Sequence, residues 1–516
     1  MMLRPDGTTI TDESAIALAA SIRAREVSVR AVIDAHIAVL ERFAPATNAV
    51  VVDCYDPARA QADAADAHLA TGPEHLPPLF GVPITVKESL AVAGLPNTAG
   101  VVARRHLRPT ANATVVQRVL DAGAIVLGLT NTAEGCMWLE STNRVYGRTS
   151  NVHDRTRTAG GSSGGEGAAV GSGGSPLGLA TDTLGSIRVP AFCNGVFGHR
   201  PSTGLLPTTG AWPPPFGVAA LCSNGVIARR AADLMPLLRI MAGPDGTDPL
   251  VRAATLGEPA TTSMRGVPVV LLDATFAPGF GREVLAARDR AAAALTEAGA
   301  EVTRVPMRSL RTIGLFATIV LAEETGISFA EIMRGEGADI LAPRQLVARR
   351  GDHTLATRLL ALGELIAARL PTRVARRITA AAHRTAAEVT EIIGDGLLLH
   401  PTLSTVAPRH GRTTGRLWRT NTVAPFSLAG LPVTQVPLGR GAHGLPVGVQ
   451  VVAGHNRDHL SIAAALTLEK AFGGWVRPRV RSLDVGAELG DRPAPVMGAT
   501  PQTTTGATGS SANWVR

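Results

Sequence analysis

Short β-type runs alternating with helical patterns constrain this chain more than any other feature. "FGVPITVK" reads as a strand, "ATVVQRVLDAG" as a helix and "AIVLGLTN" as a strand. The same order returns in "VPVVLLD", "REVLAARDRAAAALTEAGA" and "EVTRVPM", and two further strands lie in "LLLHPTLSTVAP" and "GLPVGVQVVAG". Such alternation implies an α/β fold, a sheet with covering helices. Ahead of it, "TDESAIALAASIRARE" predicts a helix capped by Thr11, with Ile16, Ala19 and Ile22 on one face. "SVRAVIDAHIAVLERF" predicts a second, capped by Ser28, whose buried face runs through Val29, Val32, Ile33, His36, Ile37 and Leu40. Residues 307–395 read as mostly helical, Arg-rich and suited to capping a site. The core is expected to end near Val480, and the low-complexity residues 483–516 are expected to form a disordered tail.

What such a fold can do is narrowed by charge and cysteine usage. The net charge of +8 invites a nucleic-acid partner, but the arginines are spread along the chain and Tyr and Trp together number only seven. Little is left on which bases could stack, so no nucleic-acid partner is expected. Cys54, Cys136, Cys193 and Cys222 form no Cys-x-x-Cys pair, which argues against a disulfide framework or zinc site and for a reduced, cytoplasmic compartment. Cys136 and Cys193 read as packing residues. No apolar run reaches the roughly 18 residues of a membrane span, and "MMLRPDGTTI" has no signal-peptide core. "HNRDH", His455 to His459, has the spacing of a zinc helix without its catalytic Glu, so Asp458 reads as a helix cap and no metal is expected.

Two Gly/Ser-dense segments then need a purpose: "GGSSGGEG", Gly160 to Gly167, and "TDTLGSIR", Thr181 to Arg188. A linker is disfavoured by the apolar residues that follow, and a phosphate loop by the missing Lys after the glycines. Gly161 to Gly165 satisfies the G-x-S-x-G of an esterase elbow, but "NVHDRTRTA" before it is a poor strand. A fourth reading takes the two segments together. Small residues let successive N–H groups converge on a reacting oxygen beside a serine nucleophile. No His lies in either segment to act as base, but a neutral amine could serve. The chain has only two lysines, Lys87 and Lys470, among 50 basic residues, so a Lys at 87 is conspicuous.

"GVPITVKE", "GGSSGGEGAAVGSGGSPLGLATDTLGSIRVPAFCNGVFGHRPSTG" and "APFSLAGLPVTQVPLG" resemble the amidase signature family, with Lys87 and Ser162 75 residues apart and Ser162 and Ser186 24 apart. The likeness runs over roughly residues 10–480. "CMWLESTNRVYGRTSN", "PAFCNGVFGHRPS" and "LEKAFGGW" look most like the second type of fatty-acid amide hydrolases and their bacterial relatives. The resemblance implies one large domain over residues 1–482, with a central mixed sheet covered by helices on both faces. It implies a Ser–cis-Ser–Lys triad: Ser186 the nucleophile, Ser162 the bridging serine after a cis peptide bond, and Lys87 the base. It implies an oxyanion hole from the backbone N–H groups of Thr183, Leu184, Gly185 and Ser186. Ser163, Asp182 and Arg188 read as supporting residues.

No cofactor is required. The partner is a small-molecule amide, and a homodimer is left open. For Lys87 the neutral form at pH 7 lies about 4.6 kcal/mol uphill at an unperturbed pKa, and burial behind "VPITV" would cut this. Glu88 must then point elsewhere.

One position departs from the pattern. Most of the family has Gly where this chain has Leu184, which would cost about 1–2 kcal/mol if the backbone there needs a positive φ. The outcome would be a narrowed acyl pocket or a weakened oxyanion hole. Three functions therefore compete. The first is a serine amidase acting through an acyl-enzyme on acyl amides or esters, with acyl transfer as a variant. The others are a glutaminase-type subunit of an amidotransferase and a non-catalytic scaffold.

Overall fold

Eleven strands join in one sheet among the residues that the computed structural model describes: 9–214, 221–272, 279–306, 320, 327–343, 345, 351–414, 422–441 and 443–478. In chain order the strands are Val50–Asp53 (β1), Pro83–Lys87 (β2), Ile125–Thr130 (β3), a separate hairpin of Thr142–Asn143 (β4) and Gly147–Arg148 (β5), Leu177–Asp182 (β6), Phe197–Arg200 (β7), Ser223–Ala228 (β8), Pro268–Leu272 (β9), Glu301–Val305 (β10), Leu397–His400 (β11), Val433–Arg440 (β12) and Pro446–Ala453 (β13). Across the sheet they run β1-β3-β2-β6-β8-β7-β12-β13-β11-β9-β10. β3, β2 and β6 are parallel at one end, and β11, β9 and β10 at the other. Antiparallel pairs from β6 through β13 to β11 join the two ends.

Helices lie on both faces, and the two-residue period of the strands sorts the core between them. Val269 and Leu271 pack into one cluster and Val270 and Leu272 into another. Leu397 and Leu399 divide from Leu398 in the same way. The first face is covered by Thr114–Asp121 (α4), Leu234–Met241 (α7) and Arg282–Glu297 (α8). The opposite face carries Val29–Thr47 (α2), Tyr55–Ala70 (α3), Gly164–Gly171 (α5) and Arg188–Asn194 (α6). Ile84 and Val86 of β2 belong to the first face, so Thr85 and Lys87 point to the second, beneath α5.

The strand–helix–strand units expected from the alternation are β2–α4–β3 and β9–α8–β10, both with parallel strands. The first helix, Ala15–Arg23 (α1), is capped one turn later than expected. Ser14 Oγ accepts from the Ala17 N–H at 3.0 Å, whereas Thr11 sits in a short 3-10 turn before it. In α2 the Ser28 cap and the buried face both form, and His36 is fully buried with Nδ1 2.8 Å from the Val32 carbonyl.

Within 307–395 the described helices are Phe329–Gly335 (α9), Leu355–Ala367 (α10) and Thr372–Ile393 (α11). Residues 307–319, 321–326, 344, 346–350 and the tail 483–516 lie outside the described residues. The last two described helices are Ala424–Leu428 (α12) and Asp458–Phe472 (α13).

Candidate active site

Three parallel strands, β2, β3 and β6, end side by side at Lys87, Thr130 and Asp182. The carboxyl ends of parallel strands are where open α/β sheets hold their ligands. Lys87 is fully buried there, its Nζ donating to Ser162 Oγ at 2.7 Å and to Thr181 Oγ1 at 2.8 Å. Burial lowers its pKa, against a pull in the other direction from Cys136, Cys222 and Asp182. Glu88 turns away. Its Oε1 accepts from the Thr98 N–H (2.6 Å) and the Tyr146 hydroxyl (2.9 Å), and its Oε2 from the Ala99 N–H (2.7 Å).

The Gly161–Ser162 peptide bond is cis. The Ser162 carbonyl meets three donors, the Ala133 N–H at 3.0 Å, Thr132 Oγ1 at 3.0 Å and Ser141 Oγ at 2.8 Å. The glycines here answer to close backbone approach. A Cβ on Gly161 would strike the Trp138 carbonyl, and one on Gly165 the backbone N of Asn131. Gly160 to Gly171 is buried throughout, which excludes a linker. Between β5 and Gly160 there are only isolated bridges, so the esterase elbow lacks its strand.

The turn from β6 to α6 is built on Asp182. Its Oδ1 accepts from the Gly185 N–H at 2.6 Å and its Oδ2 from the Ile187 N–H at 3.1 Å. Arg188 pairs with both oxygens, Nε to Oδ2 and Nη2 to Oδ1, each at 3.0 Å. Burial alone would raise the Asp182 carboxyl, but the Arg188 charge and hydrogen bonds outweigh it and hold the group well below the usual carboxylate range. Arg188 also donates to the Val423 carbonyl (3.0 Å), Ser427 Oγ (2.7 Å) and Gln450 Oε1 (3.2 Å), which fastens the turn to α12 and β13.

Ser186 keeps 9% exposure, while Ser162 and Lys87 have none, so Ser186 is the member of the three that a ligand can reach. Its carbonyl accepts from the Ser163 N–H at 3.3 Å, and Ser163 Oγ lies 3.4 Å from the Thr181 carbonyl. Of the four N–H groups expected to converge, that of Gly185 donates to Asp182 Oδ1. Those of Thr183, Leu184 and Ser186 meet no acceptor among the described residues. Leu184 is not among the positive-φ residues, whereas Gly185 has φ +104°. The Leu184 side chain is half-buried beside the turn.

Around the site, Leu139, Val189, Cys193 and Leu403 help line a small apolar cavity next to α6. Cys136, half-buried with φ +59°, lies 3.4 Å from Thr132 Oγ1. Asp458 does not cap α13, of which it is the first residue. Its buried carboxylate instead accepts from the Ser202 N–H (2.9 Å), Ser202 Oγ (2.6 Å) and His199 Nε2 (3.1 Å), three donors that its own helix cannot match. No group of three His, Cys, Asp or Glu among the described residues is arranged to hold a metal.

Sequence reasoning missed Thr132, Ser141 and Thr181, which hold Ser162 and Lys87. Thr181 opens "TDTLGSIR", but only the parallel pairing of β2 with β6 brings it to Lys87.

The profile of the amidase family matches residues 31–461. The chain is 37% identical over 484 residues to "Fatty-acid amide hydrolase 2-A" of Danio rerio, covering 90% of each chain. It is 32% identical over 485 residues to an acylamidase of Rhodococcus erythropolis, covering 88% of this chain and 94% of that one. It is 31% identical over 477 residues to a glutamyl-tRNA(Gln) amidotransferase component of a Picosynechococcus species, covering 87% of this chain and 96% of that one. Among solved structures, a bacterial aryl acylamidase described as belonging to the amidase signature enzymes superposes with a TM-score of 0.78 at 25% identity, over 92% of this chain and 99% of that one.

Proposed function

The chain belongs to the amidase family, and from that membership we propose that Ser186, Ser162 and Lys87 carry out its reaction as nucleophile, bridge and base. The chain is an amidase, a hydrolase of amide C–N bonds. The observation that carries the assignment is the buried 2.7 Å contact between Lys87 Nζ and Ser162 Oγ. A lysine whose charged form is penalised by burial is suited to be a base near neutral pH.

In the reaction, neutral Lys87 takes the Ser162 hydroxyl proton while Ser162 takes that of Ser186. The Ser186 Oγ then adds to the amide carbonyl. The N–H groups of Thr183, Leu184 and Ser186 are free to hold the oxyanion, and Gly185 instead fixes the turn. The C–N bond breaks as Ser162 returns its proton to the leaving amine. Water, activated through the same relay, hydrolyses the acyl-enzyme. Asp182, Arg188 and Ser163 act as braces.

The likeness to a fatty-acid amide hydrolase, together with the apolar side chain of Leu184 beside Ser186, supports a lipophilic acyl group. The reading as a glutaminase within an amidotransferase rests on a relative of lower identity, 31%. The scaffold reading weakens because Leu184 sits at an ordinary φ. Residues 307–395 are read as a cover within a single domain over 1–482. In support, Phe329 of α9 packs against Gly135, and His353 Nδ1 lies 2.6 Å from Glu134 Oε1. No helix among the described residues is long and apolar enough to cross a membrane. The four free cysteines support a cytoplasmic setting.

Treatment with a fluorophosphonate probe, read by intact mass, tests the assignment. One adduct is expected on the wild type, none on Ser186→Ala and slow formation on Lys87→Ala. Labelling that survives Ser186→Ala would remove that serine from the role.

A further inference from the structure

The Gly/Ser stretch contains one acid that the reaction above leaves unused. Glu166 lies on α5, four residues after Ser162, and is fully buried. Its carboxylate accepts from Thr85 Oγ1 and, at 2.6 Å, from Thr130 Oγ1. Those hydroxyls stand on β2 and β3, and Thr85 shares its face of β2 with Lys87 two residues on. In register with Thr85, β6 carries Gly178, where a Cβ would collide with Glu166 Oε1. Glycine at 178 thus leaves an opening that the carboxyl group fills. The cation that acts on Glu166 is Lys87.

We propose that Glu166 is a positioning residue for Lys87: fixed by Thr85 and Thr130, its carboxylate governs the pH at which Lys87 is free to accept a proton. The proposal rests on Lys87 being the base. A negative charge close to an ammonium favours the charged form, so an ionised Glu166 keeps Lys87 protonated to higher pH. Burial raises the Glu166 carboxyl to about 7 against the pull of the two threonines, so its charge is present above about pH 7.

The charges and thiols that act most on Lys87 are Cys136, Cys222 and Asp182. Asp182 is compensated by Arg188, and Glu88 faces the Thr98–Ala99 backbone. Among the described residues Glu166 has no such arginine, and only hydroxyls hold it.

The test is the pH dependence of fluorophosphonate labelling in the full chain. Glu166→Gln keeps the size and removes the charge, and its amide accepts from one threonine hydroxyl while donating to the other. Its acid limb is expected to move about one pH unit lower, giving labelling about tenfold faster at a pH below the wild-type limb. Thr130→Val removes one donor to the carboxylate and is expected to move the limb in the same direction by less. Valine suits a strand, so this variant carries the test if Glu166→Gln does not fold.

An acid limb that stays in place or moves upward in the folded variants overturns the proposal, even if labelling slows at every pH, because a space-filling role would do only that. Lys87→Ala separates the two readings. If it labels as fast as wild type, the base assignment fails. If labelling depends on Lys87 and the limb is unmoved, only the role of Glu166 fails.

Discussion

Leu184 stands where the resemblance leads one to expect glycine, and the cost of that replacement depends on the backbone beneath it. The positive φ of the turn is at Gly185, so Leu184 carries no strain of that kind. What remains is its side chain, half-buried beside Ser186. Leu184→Gly is expected to lower stability by about 0.5–1 kcal/mol through added backbone freedom, read from urea unfolding. It is also expected to raise, several-fold, the labelling rate of bulky fluorophosphonates relative to short ones. An unchanged ratio would mean that Leu184 does not border the acyl site.

At this scale the sequence was unevenly legible. Lys87 stood out because the chain otherwise uses Arg. Thr132 and Ser141 could not, because a hydroxyl gains its meaning only from the carbonyl it meets, and the Ser162 carbonyl lies 30 and 21 residues away.

α5 is an element that its own sequence disfavours. Four of its eight residues are glycine, each costing about 1 kcal/mol relative to alanine in a helix. Packing outweighs propensity here: the small residues let α5 lie against β2 and β3, with Gly165 touching the backbone at Asn131. Gly165→Ala, a gain in propensity, is therefore expected to destabilise the protein by about 1–3 kcal/mol in urea unfolding, and to slow labelling of Ser186. A stabilised variant would show that the contact with Asn131 gives way easily.

The parallel units at the two ends of the sheet were legible from alternation, since a strand, helix and strand in succession pair locally. The order of the strands was not. The antiparallel bridge from β6 to β13 depends on pairings across more than 200 residues, such as Arg200 with Val433, which no local pattern records. Asp458 fails as a cap for the same reason, because its donors come from residue 202.

Over the whole molecule, buried ionisable groups set opposing demands on pH. Burial pushes His36 down to about 3 and both His153 and His400 to about 4. The unfolded chain protonates these histidines near pH 6.5 and the folded one does not, so their share of stability is complete above about 6.5 and lost as pH falls towards 4. Burial raises Glu88 and Glu166 to about 7 and Asp233 to about 6. Their share is complete below about pH 4 and lost as pH rises through 6 to 7. The melting temperature is therefore expected to be nearly level from about pH 5 to 6.5 and to fall steeply below about 4.5, where the histidines and the depressed carboxyls of Asp182 and Asp458 act together. A scan of melting temperature against pH checks this, and a steady rise with falling pH would contradict it.

The anchoring of Arg188 has a consequence in time. Its partners Val423, Ser427 and Gln450 lie 235 to 262 residues further along the chain. During synthesis Asp182 can hold the turn that carries Ser186 locally, but Arg188 gains its outer partners only when α12 and β13 emerge. A growing chain thus lacks the outer anchor of this turn, and the proposed nucleophile is expected to be fully held only after residue 450 has been made.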